Sequence, residues 1–134
     1  AAMKQDQNWL AEMESRRRDD EPSPGQEMAA LMRRTDEVLK RLSLEDGAKL
    51  RELSAGWREL VLAGYALSCG YAPHTADGVG ELLTATPEGA AWRAENLRLT
   101  RAAEALASTV PEALPLSDRW DDLCTLALVL GQRR

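Results

Sequence analysis

The sequence predicts an all-α fold, a compact domain of about five helices behind a detachable N-terminal helical arm. Three observations carry this. Apolar residues recur at steps of three and four along most of the chain, the period of a helix that buries one face. No stretch shows the two-residue alternation or the β-branched runs that strands need. With four Trp, two Tyr and no Phe in 134 residues, the core falls mainly to Leu and Ala, both strong helix formers. At this length the chain buries a core without a metal or a disulfide.

The expected organisation is an arm over residues 1–18, a linker over 19–25 and a helical domain over 26–134. In the arm, Trp9, Leu10 and Met13 fall on one side of a helix. The segment "RRRDDEPSPG" that follows mixes charges with two prolines and offers nothing to bury, which reads as a linker. An apolar stripe on an arm calls for something to dock on: its own domain, a second copy or a partner.

The next helix is expected over 26–42, with Met28, Met32, Thr35, Leu39 and Leu42 as its seam. A new seam begins at Leu50, Leu53, Trp57, Leu60, Gly64 and Leu67. Continuing the first register would turn Asp46 and Lys49 inward, so the two seams belong to separate helices broken near Ser43, whose hydroxyl and the acid at Asp46 form a start signal like a capping box. A short helix follows, with Thr75 as its expected cap and Val79, Leu82 and Leu83 as its face. Thr86, Pro87 and Glu88 announce another, because a proline at the first helical position loses no needed donor. Trp92, Leu99, Ala103, Leu106 and Val110 form its inner side, and Pro111 ends it. A last helix is expected from a Ser117 cap to Gly131; its "LCTLALVLG" end, apolar all round, belongs to the centre of the domain or to a dimer interface.

The net charge of −5 argues against a surface wholly given to nucleic acid. Lys occurs only at positions 4, 40 and 49, and this Arg bias with abundant Ala points to a bacterial or mobile-element origin. Cys69 and Cys124 stand far apart in apolar settings, as free thiols of a cytoplasmic protein do. No signal peptide or membrane span is expected, since the longest uncharged stretch is interrupted by Gly64, Gly70 and Pro73.

The stretch "SCGYAPHTADG" gathers Cys69, the single His74 and Asp77, the residue types of a thiol nucleophile, its base and an orienting acid. A small thiol-dependent enzyme using Cys69 and His74 is thus one alternative, but the expected reading is a loop, with no catalytic residue. One His and two separated Cys leave a transition-metal site short of ligands, so neither metal nor cofactor is expected.

A second alternative lies in "GVGELLTATPEGAAWRAENLRL", residues 78–99, where a short helix, a tight turn and a longer helix bearing Arg93, Asn96, Arg98 and Arg101 resemble a helix-turn-helix. The resemblance implies a DNA-binding regulator, with Arg93 able to pair with guanine and the other basic groups holding phosphates.

The leading expectation is a non-enzymatic interaction or assembly module that binds a protein partner or itself as a homo-oligomer. Its interaction residues would be Trp9, Leu10, Met13, Met28, Met32, Leu126 and Leu130, the apolar anchors of the arm and of the seams.

Overall fold

In a computed structural model that describes residues 2–72, 74–75 and 77–133 (2–7 as backbone alone), the chain is all-helical, with no strand among the described residues. Among the described residues six helices follow one another: α1 (Ala2–Arg16), α2 (Pro24–Leu39), α3 (Leu44–Gly70), α4 (Gly78–Ala85), α5 (Pro87–Leu106) and α6 (Ala113–Gly131).

The central pair is α3 and α6. α6 buries one broad side, with Leu116, Trp120, Leu123, Cys124, Ala127, Leu128 and Leu130 all buried, while Asp118, Asp121, Asp122 and Thr125 face solvent, so the helix is not enclosed all round. Trp57 of α3 stacks on Trp120 at 6.2 Å between ring centroids. Where the two helices close at their far ends, Gly131 is the last helical residue and lies against α3. A Cβ there would sit 2.6 Å from Ser68 Cβ and 2.9 Å from the Tyr65 carbonyl, so its service is close approach rather than a left-handed cap. Ser68, fully buried, donates to the Leu128 carbonyl at 2.5 Å and fastens the crossing.

The break between the two seams falls where their phases disagree. α2 ends at Leu39, and Ser43 caps α3 by accepting from the Asp46 amide at 3.2 Å. Thr86 caps α5 in the same way, from the Gly89 amide at 2.9 Å, with Pro87 as the first helical residue.

Two starts differ from expectation. α6 begins at Ala113, a turn before Ser117, and Ser117 is buried inside it rather than capping it. Pro115 sits in that first turn, where the missing donor costs nothing. α4 begins at Gly78 with Asp77, not Thr75, at its N-cap.

The N-terminal segment is not detached in this structure. Its stripe is used within the chain: Met13 is fully buried in the common core, and Trp9 meets Tyr65 edge to face at 5.5 Å. Arg16 lies over the Tyr65 ring, 5.4 Å from its centroid, and donates to the Gly131 carbonyl at 3.2 Å. Glu14 accepts from the Gly25 amide at 3.2 Å and from the Ser23 hydroxyl, satisfying donors at the start of α2. α2 accordingly starts inside the expected linker, and Glu21 pairs with Arg133 near the other terminus.

Candidate docking groove

At the level of Gly56, α5 presses on α3, because Leu99 occupies the space a side chain there would need: a Cβ at Gly56 would lie 2.9 Å from Leu99 Cδ2. About two helical turns further along, Trp92 fills the niche left by Gly64 and donates its indole N–H to the Leu60 carbonyl at 2.8 Å. Toward the start of α3 and the end of α5 the residues facing the gap shrink to Ala102 and Ala105, which cannot fill it. The result is a groove of about 590 Å³ between the two helices.

Its floor is apolar, made by Leu53, Leu99 and Leu106 beneath the two alanines. Its rim is charged. Glu45, Asp46, Lys49 and Glu52 come from α3, Arg98 from α5, and Ser108 and Thr109 close the end. Lys49 reaches Glu45 at 3.6 Å, and Thr109 donates to Asp46 at 3.5 Å. Arg98 donates to Glu95 through both Nε and Nη2, the closest contact being 2.5 Å. That fork holds the Glu95 carboxyl below the usual carboxylate range and raises the guanidinium further.

Between Ser43 and Glu45, both lining the groove, Leu44 is 91% exposed. Leu114, in the first turn of α6, is a second exposed leucine, and an Arg41–Glu112 contact of 4.0 Å links that turn to the end of α2. A hollow of similar size lies on the other flank of α5, lined in part by Arg93, Asn96, Leu97 and Asp121. There the Asn96 amide already donates to Asp121 at 3.0 Å, tying α5 to α6 across the opening.

The residues expected to make interactions are mostly core. Met13, Met28 and Leu130 are buried, Trp9, Leu10 and Leu126 are half-buried against the same core, and only Met32 is substantially exposed. Their periodicity was that of a seam, and the seam is intramolecular. The four polar candidates on α5 do not share one surface: Arg98 lines the groove toward α3, whereas Arg93 and Asn96 line the hollow toward α6. Arg101 is exposed. Gly89 packs against the backbone of Leu82, where a Cβ would lie 1.8 Å from its carbonyl oxygen, and this sets the tight α4–α5 corner.

Around Cys69, the sulfur accepts from Arg16 at 3.1 Å, while the His74 ring nitrogen lies 3.3 Å from the Cys69 carbonyl oxygen. Burial raises the neighbouring Tyr65 phenol above its ordinary range, with Cys69 adding to the effect. Both cysteines are free, and burial, with Asp121 close by, pushes the Cys124 thiol up to about 12. Among the described residues no group of three or more His, Cys, Asp or Glu is placed to hold a metal ion, and no helix is long and apolar enough to cross a membrane.

Leu44, Ala102 and Ala105 were not singled out from sequence as a surface. Leu44 carried a usable signal, since it belongs to neither of the seams that flank it. Comparison with protein-family models, with curated proteins and with solved structures found no match to this chain.

Proposed function

We propose that this chain is a non-enzymatic protein-interaction module that receives a protein partner, a second copy included, in the α3/α5 groove. The observation that carries the reading is the groove itself, an apolar floor within a charged rim. Interfaces concentrate apolar area at their centre and charge at their edge.

A photo-crosslinking amino acid at position 105, compared with one at the exposed position 119, tests this in cells that make the protein. Adducts are expected from 105, lost when Ala102→Trp fills the groove, and absent from 119. Equal labelling at both positions, or labelling at 105 that survives the filled groove, refutes it.

A further inference from the structure

We infer that the occupant of the α3/α5 groove is a short basic amphipathic helix of another protein, an inference that rests on the docking reading of the same groove. Charge decides the sign of the partner. Three carboxylates line the groove, Glu45, Asp46 and Glu52 on α3, against two cations, Lys49 and Arg98. Both cations are already engaged by acids, Lys49 by Glu45 of the rim and Arg98 by Glu95 one turn before it on α5. The rim therefore presents net negative charge to whatever enters, on a chain that is itself at −5. A second copy would bring the same acidic rim to face this one, and like charges brought together across an interface oppose association. Lysines and arginines flanking an apolar stripe would instead meet Asp46 and Glu52.

Shape decides the rest. The lining runs along α3 from Glu45 to Leu53, about 12 Å at 1.5 Å per residue, which is a little over two helical turns. A helix seated there presents anchors at positions i, i+4 and i+7, the usual reading of an amphipathic helix in a groove. Small residues on one wall, Ala102 and Ala105, admit the close approach.

The probe is a labelled synthetic helix of two to three turns with Leu at i, i+4 and i+7 and Lys on its flanks, read by fluorescence anisotropy against the full chain. A twin peptide carries Glu in place of every Lys. The Lys peptide should bind the parent in a salt-sensitive manner. Its affinity should fall at least about tenfold with Glu52→Lys and at least about tenfold with Ala105→Trp, while the Glu twin binds at least about tenfold more weakly than the Lys peptide. Circular dichroism of both variants establishes that they stay folded. Equal binding of the two peptides, no binding of either, or binding untouched by Ala105→Trp overturns the inference. Sedimentation of the parent guards the remaining case. A dimer that Ala105→Trp converts to monomer makes the occupant a second copy and overturns the basic helix, while leaving the groove a docking site. Crosslinks from position 105 with no binding of the Lys peptide separate the two failures in the same way.

Discussion

Replacing Met13 by Ala measures whether the first helix belongs to the body. Met13 is 0% exposed and sits in the same core cluster as Tyr65, Val61 and Leu130. Truncation to Ala removes three heavy atoms and leaves a cavity that α1, tied down by Glu14 and Arg16, is poorly placed to fill. Methionine-to-alanine changes at such sites cost about 2–5 kcal/mol, and a value near 3 is expected here. Against a total stability of about 5–15 kcal/mol that is a large share, and for a domain of this size it lowers Tm by about 10 °C. Urea melts followed by far-ultraviolet circular dichroism and by tryptophan fluorescence should move together, because the docked helix unfolds with the rest. Met32→Ala, 43% exposed on α2, serves as the matched control and should cost less than about 1 kcal/mol. A Met13→Ala chain within about 0.5 kcal/mol of the parent would refute the reasoning and return the first helix to the status of a loose arm.

Other consequences are as direct. Gly89→Ala should fail to fold stably, since its Cβ would fall 1.8 Å from the Leu82 carbonyl oxygen and backbone cannot step aside; soluble yield and thermal melting decide it. Acid should loosen the terminal ties. Its bond with Arg133, helped by the Arg18 amide, brings the Glu21 carboxyl down from 4.5 to about 2, and bonds from Ser23, Arg17 and Gly25 outweigh burial to lower Glu14 as well. A depressed carboxyl stabilises the fold above its unfolded value and loses that effect as pH falls through the folded one, so the Glu21 contribution should fade between 4.5 and about 2. Glu21→Gln should flatten the fall in urea midpoint over that window, and parallel profiles would count against the tie. Cys124, buried with its thiol pushed up to about 12, should resist iodoacetamide at neutral pH until the chain unfolds, as mass spectrometry of pulse-labelled protein can show.

The elements were legible where local chemistry alone determines them. Ser43 and Thr86 cap helices because a hydroxyl ahead of a free amide does so in any surroundings, and Pro87 can stand only at a helix start. The phase slip between Leu39 and Leu50 likewise required a break. What the sequence withheld was which apolar faces meet each other. The stripe of Trp9, Leu10 and Met13 reads the same whether it covers Tyr65 of its own chain or a partner, and only the closed structure shows the first. Ser117 misled because a serine before acids signals a cap, while Pro115 permits the helix to start a turn earlier. The groove was hidden for a related reason. It is defined by what Ala102 and Ala105 do not fill, and an unfilled space has no periodicity.

Gly64 connects this packing to the groove and can be tested for it. Its missing side chain admits Trp92, whose indole N–H donates to the Leu60 carbonyl at 2.8 Å. A Cβ at Gly64 would lie 2.9 Å from that same nitrogen and 3.2 Å from Cε2, so the ring must retreat and the bond to Leu60 must lengthen or break. Helix propensity works the other way, since Ala in place of Gly within a helix gains up to about 1 kcal/mol. Overpacking a buried aromatic costs about 1–3 kcal/mol, and a buried donor left unpaired about 1–3 more, so against the propensity gain Gly64→Ala should destabilise by about 1–5 kcal/mol on balance. Because Trp92 and Leu99 lie on one rigid helix, displacing the first also tilts the wall that carries Ala102 and Ala105. Gly64→Ala should therefore weaken binding of the Lys helix even where the protein remains fully folded, whereas Ala63→Ser at the neighbouring exposed position should leave both stability and binding unchanged. A Gly64→Ala chain as stable as the parent would mean that Trp92 has room the structure does not show, and that α5 is not held against α3 by this niche.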